Sequence, residues 1–233
     1  MEVNRAITTV LYDLQIGKIP ASIIGEIALN YYNVPRVLHD IEICVPASFL
    51  SQALYTLCST KRYKLMEKKE YDIFTEYKRA FPVLAAIHSN IPIVIFPDSH
   101  FHLSPLGHNI VSYNGVLGTS YSREILDLVP VDEIQYLPVP RLPPYFIGLC
   151  RRFFESNDDM ARISAEQLVD GMDLDEEWIR INLSGAPLKV RELATTLVAE
   201  KSSRIDASLD LIMPRSALES SMEGLRLIPG SGY

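Results

Sequence analysis

The chain has 233 residues, 48% of them hydrophobic and 22% charged, the balance of an ordinary soluble globular protein with enough length to bury a sizeable core. Its 29 acidic residues outnumber 22 basic ones for a formal charge of -7, which excludes a protein that grips a nucleic-acid backbone over many phosphates and leaves small molecules or proteins as partners. The amino-terminal residues lack the basic stretch and apolar core of a secretion signal, so a cytoplasmic location is expected.

Apolar residues at Val3, Ala6, Ile7, Val10, Leu11 and Leu14 recur at the spacing of one helix face, and Gly17 and Pro20 stop that helix. A short helix is predicted over 26–32, ended by Asn33-Val34-Pro35 because the residue before a proline avoids the helical region. A strand over 40–45 follows, then a helix over 48–58 with Ser48 as its cap. Next come a strand over 63–67, a polar excursion over 68–79 and two apolar strands at 83–88 and 91–97. The uncharged run over 80–97 is long enough to span a membrane, but its prolines and polar residues argue for paired strands with a turn near Ser89-Asn90 and for no membrane partner.

Beyond residue 104 the periodicity fades, and it returns in candidate helices over 145–154, 160–169, 173–183 and 188–201. Asp158, Asp159 and Asp173 suit helix starts, and Gly171 and Gly185 suit helix ends. The acids Asp173, Asp175, Glu176 and Glu177 read as capping groups on a solvated face, and Trp178 as a packing anchor between helices. The expected organisation is a core over 1–110, a connection over 111–141, a helical region over 142–220 and a loose tail over 221–233. Mixed strands with helices gathered on one side make an α+β (α/β) fold. Cys44, Cys58 and Cys150 form no paired motif and are expected as buried free thiols.

The chemistry concentrates in residues 23–45. A glycine, Gly25, stands at a strand-to-helix turn, where the absence of a side chain lets backbone approach a phosphate. Downstream, Asp40 and Glu42 are two residues apart on a strand, so they share a face while Ile41, Ile43 and Val45 take the other. Two adjacent carboxylates repel unless a cation lies between them, so the pair is a candidate divalent-metal site.

Ile24-Gly25-Glu26 followed by Asp40-Ile41-Glu42-Ile43 resembles the nucleotidyltransferase superfamily of the DNA polymerase beta type, with its apolar-Gly-[Gly/Ser] turn and Asp-apolar-[Asp/Glu]-apolar strand. The likeness is strongest to the minimal branch containing antibiotic nucleotidyltransferases and abortive-infection toxins, and the stretch is also similar to uncharacterised fungal proteins. The resemblance implies a nucleotidyltransferase-like mixed sheet flanked by helices. It also implies transfer of a nucleoside monophosphate from a nucleoside triphosphate, ATP foremost, to a small-molecule or protein acceptor. In that reading Asp40 and Glu42 bind Mg2+, while Gly25, Glu26 and Arg36 meet the nucleotide, Arg36 matching a basic residue that often precedes the first acid. A third catalytic carboxylate lies on a later strand in some members, and Asp98 is the candidate here. Glu26 departs from the pattern, which has Ser or Gly there. A carboxylate repels a triphosphate, so either Glu26 turns away along its helix or the chain is a catalytically degenerate module that binds a nucleotide or partner. A rival constellation is Asp98, His100 and His102, which would share one face of an extended segment as a metal site or else sit as ordinary loop residues.

Overall fold

The computed structural model describes residues 2–67, 75–87, 89, 91–111 and 121–204. Helix α1 (Glu2–Ile16) buries Ala6, Ile7, Val10 and Leu14 along the predicted face and is followed by Lys18 in the left-handed region. Strand β1 (Ser22–Ile24), helix α2 (Gly25–Tyr31), strand β2 (Ile41–Val45) and helix α3 (Leu50–Ser59) come next. Strands β3 (Tyr63–Leu65), β4 (Val83–Ala86) and β5 (Pro92–Pro97) complete one five-stranded sheet of order β1-β2-β5-β4-β3. Only the β2–β5 pair is parallel; the other three are antiparallel. Among the described residues six further α-helices follow: α4 (Arg123–Leu128), α5 (Val131–Ile134), α6 (Leu142–Ser156), α7 (Asp159–Gly171), α8 (Glu176–Asn182) and α9 (Leu188–Ala199). The fold is α+β: a mixed sheet flanked by helices.

Every β2 residue is buried, so both faces of the sheet's interior are covered rather than one. One apolar cluster joins sheet residues such as Ile43 and Ile95 to Ala161, Leu168, Val190 and Leu197 of the carboxy-terminal helices. Trp178 meets Phe146 edge to face at 5.7 Å between ring centres, a contact between α8 and α6. The outer edge of β1 is covered where the Ile23 N–H and the Ser22 hydroxyl both donate to the Pro138 carbonyl at 2.8 Å.

Several sequence expectations need correction. Strand β1 has no predicted range because its three residues are all buried and show no alternation, and the expected connection over 111–141 contains α4 and α5, too short for a helical period to show. Ser48 lies inside a 3-10 turn (Ala47–Phe49) and caps nothing, whereas Asp158 and Asp175 accept the N–H groups of Ala161 and Trp178 as true helix caps. Asp173 instead adopts a left-handed conformation before α8. Cys44 and Cys150 are buried as expected, but Cys58 is exposed on α3. Within the described residues no helix is long and apolar enough to cross a membrane. The loose tail expected over 221–233 lies outside the described residues.

Candidate functional site

Three local features aim the site. The turn from β1 into α2 is made by Gly25, whose φ of +63° an L side chain adopts only with strain. A Cβ there would run into the Glu42 side chain, lying 2.5 Å from its Cδ, so the glycine provides the room in which the Glu42 carboxylate sits. After α2, the buried Asn30 fixes the loop that leads to β2. Its amide donates to the Arg36 carbonyl and accepts the Arg36 N–H, both at 2.8 Å, and its Oδ1 also accepts the Ser122 hydroxyl at 3.0 Å. Glu26 closes the far end of that loop, accepting the His39 N–H at 2.7 Å with the His39 ring nitrogen Nδ1 at 2.7 Å from its other oxygen.

Asp40 and Glu42 do converge, and a third side chain stands between them. Lys78 Nζ lies 2.9 and 2.8 Å from the two oxygens of Asp40 and 2.8 Å from Oε1 of Glu42. All three groups are withdrawn from solvent, with side-chain exposures of 12% for Asp40, 1% for Glu42 and 6% for Lys78. The Tyr77 hydroxyl donates to the same Glu42 Oε1 at 2.5 Å. Oε2, by contrast, is buried with no hydrogen-bond partner among the described residues. Burial, followed by the charge of Glu42, raises the Asp40 carboxyl to about 6 despite the nearby ammonium. Burial alone would lower the Lys78 ammonium, but Glu42 and Asp40 together hold it above the ordinary lysine value. The Tyr77 phenol is pushed well up, first by burial and then by Glu42.

Glu42, Tyr77 and Lys78 line a cleft of about 340 Å³ together with Gly25, Glu26, Arg36, His39 and residues of α6 and α7, and Asp40 adjoins it through Lys78. Helix α6 contributes Arg152, which is 5% exposed, donates to the Asp158 carboxylate and lays its guanidinium 4.4 Å over the Phe101 ring and 5.0 Å over the Tyr77 ring. Among the described residues, the Nε atoms of Arg152 and Arg36 are buried without a hydrogen-bond partner. A buried N–H of a cation and a buried carboxylate oxygen, both unpartnered in one cleft, mark places where a ligand completes the bonding.

Asp98 is elsewhere. It is 3% exposed, and its Oδ1 accepts the Ala47 N–H at 3.0 Å. Opposite Glu42 in the β2–β5 register stands Val94, an apolar residue. The Asp98/His100/His102 metal reading fails on its premise, because Asp98–Phe101 is a 3-10 turn and not an extended segment. The His100 ring stacks on Phe96 at 5.5 Å and tilts against Phe81 at 4.6 Å, while His102 turns left-handed toward Glu155 at 3.2 Å.

Tyr77, Lys78 and Arg152 are the cleft residues that sequence reasoning missed. Arg152 had a signal: with Tyr145 and Leu149 it falls on the buried stripe of α6, where a charge without purpose is costly. Lys78 and Tyr77 had none, because they end a polar stretch without periodicity.

No protein-family model matches the chain, and no curated protein matches it. Among solved structures, it is similar to the antibiotic-resistance factor ANT(2'')-Ia in solution, at 12% identity and a TM-score of 0.43 over 89% of this chain and 98% of that one. It is also similar to ANT(2'')-Ia in complex with adenylyl-2''-tobramycin, at 12% identity and a TM-score of 0.42 over 84% and 98% of the two chains. Likeness at that level does not assign a function, so the chemistry of the cleft decides the reading.

Proposed function

We propose that the cleft binds a nucleoside triphosphate together with a divalent cation and transfers its nucleoside monophosphate to a small-molecule or protein acceptor. One observation carries the reading. Glu42, with one oxygen orphaned among the described residues and Asp40 joined to it through Lys78, lines a 340 Å³ cleft together with Arg36 and Arg152, whose Nε groups are likewise unpartnered. A ligand that satisfies both kinds of group must present positive and negative charge within a few ångströms, and a metal-bound polyphosphate does so.

The residues fit Mg2+ in charge and donor type: Asp40 and Glu42 are the oxygen ligands that would hold it, and Glu42 Oε2 next to Gly25 is a vacant donor. When bound, the cation would neutralise phosphate charge and favour ionisation of the attacking hydroxyl. Arg36 and Arg152 orient the phosphates through N–H groups that nothing in the described chain satisfies. Glu26 lines the cleft with both oxygens engaged by His39, so its charge is partly compensated and the departure from the resemblance at this position is compatible with transfer. ATP is the nucleotide first to be tried, and nucleic acid is an unsuitable acceptor for so acidic a chain.

A second reading, nucleotide or partner binding without chemistry, is favoured by two specific features: the Lys78 ammonium between the acids and Val94 opposite Glu42. Incubation with Mg2+ and nucleoside triphosphates labelled at the α-phosphate separates the two. Label moving to an acceptor, and lost in Asp40→Ala, supports transfer. Nucleotide binding with no pyrophosphate release supports the binding module.

A further inference from the structure

Lys78 places an ammonium where the carboxylate pair needs a cation. Its three N–H donors are matched by three carboxylate oxygens at 2.8–2.9 Å, two from Asp40 and one from Glu42. At 6% exposure the head has exchanged water for these contacts. Both Asp40 oxygens, which a hard divalent ion shared with Glu42 would need, are taken by the ammonium, and an ammonium so close to such an ion would be strongly repelled. Lysine and metal therefore cannot share the seat.

We propose that Lys78 is an internal cation lock: its ammonium holds Asp40 and Glu42 in the metal-free chain, and a divalent cation enters by displacing it. This rests on the nucleotidyl-transfer reading for its biological purpose. The exchange is electrostatically directed. Two carboxylates with one ammonium leave one uncompensated negative charge, and a divalent ion removes it. Lys78 is the last residue of a 3-10 turn (Glu76–Lys78) and lines the cleft, so its four-carbon stem releases the head into the cleft without breaking a helix or a sheet ladder. The freed ammonium then stands with Arg36 and Arg152 among the cleft's cations, so entry of the metal prepares the site for an anion. Metal and polyphosphate binding become positively coupled through one side chain.

The test uses Mn2+ as the probe, without nucleotide, on the full chain. Lys78→Met keeps the apolar stem and removes the competing charge, so it binds Mn2+ about tenfold or more tightly than the parent, read by electron paramagnetic resonance of free Mn2+. Asp40→Asn in that background abolishes the gain. Should Lys78→Met not fold, the parent chain supplies the second readout: acylation of Lys78, followed by mass spectrometry, is slow in chelator and rises at least severalfold as Mn2+ is added. Equal or weaker Mn2+ binding by Lys78→Met overturns the lock, as does Lys78 reactivity that Mn2+ leaves unchanged. Loss of the lock with label transfer intact would refute this inference alone. Mn2+ exchange at Lys78 without label transfer would refute transfer and leave the lock standing.

Discussion

Gly25→Ala tests how tightly the β1–α2 turn and the buried acid are fitted to each other. The new methyl would stand 2.5 Å from Glu42 Cδ and 3.1 Å from its Cγ, where ordinary contacts need well over 3 Å, so the carboxylate must retreat. It cannot do so freely, since Tyr77 and Lys78 hold Oε1. Weakening hydrogen bonds to a charged group costs about 1.5–3 kcal/mol. The φ of +63° adds roughly 1–2 kcal/mol for a residue with a Cβ. Against this, alanine restricts the unfolded chain and returns about 0.4–1 kcal/mol. The net loss is about 2–4 kcal/mol, which at a urea slope of about 2–3 kcal/mol/M moves the midpoint down by roughly 1 M. The decisive measurement repeats the substitution in Glu42→Ala, which deletes the three atoms nearest the methyl. There only the torsional cost survives, about 1 kcal/mol, and the two substitutions couple by at least about 1 kcal/mol. A penalty for Gly25→Ala that is the same with and without Glu42 would refute the proposed fit.

Arg36→Gln should weaken inorganic tripolyphosphate binding by about tenfold in calorimetry while changing the stability read from urea unfolding by less than roughly 0.5 kcal/mol, because its Nε makes no bond within the described chain. Gly148→Ala should cost about 2–4 kcal/mol, since its methyl would be driven into the backbone carbonyl of Phe101, 3.1 Å from that carbon, where α6 packs on the 3-10 turn; a loss below about 1 kcal/mol counts against this packing. His100→Phe should flatten the acid limb of stability. Burial, then the charge of Arg152, lowers its imidazole from 6.5 to about 4, so as pH falls through that interval the unfolded chain takes up a proton that the folded one refuses, and stability is lost. The ceiling is about 3 kcal/mol, and partial exposure of the ring reduces it to roughly 2 kcal/mol between pH 7 and 4.5. An unchanged slope in urea titrations at the two pH values would sink that account.

The long helices and paired strands were readable because burial imposes a period on them. Helix α1 buries Ala6, Ile7, Val10 and Leu14, and α6 buries Tyr145, Phe146 and Leu149, spacings that only a helix brings to one side. Asp40 and Glu42 were readable as neighbours because an extended chain puts residues two apart on one side, although Asp40 lies one residue before β2 begins at Ile41. What lies across the sheet was not. Lys78 comes from 36 residues beyond Glu42 on a short turn, and no local period foretells where such a turn docks. The Asp98, His100 and His102 grouping shows the converse: alternation has meaning only if the backbone is extended, and the chain instead coils directly after Pro97.

The cleft also explains why its charges are tolerated. Removing a carboxylate and a guanidinium from water separately is costly, and each is held here by incomplete compensation: Glu42 by Tyr77 and Lys78 through one oxygen, Arg152 by Asp158 and two aromatic faces. Compensation that stops one bond short on each side leaves Glu42 Oε2 and the arginine Nε groups as the residual demand of the fold. Both deficits belong to residues that line one cleft. A site that exchanges an internal ammonium for a metal-bound anion needs both, because the deficits set the sign of charge that each end of the incoming ligand must carry.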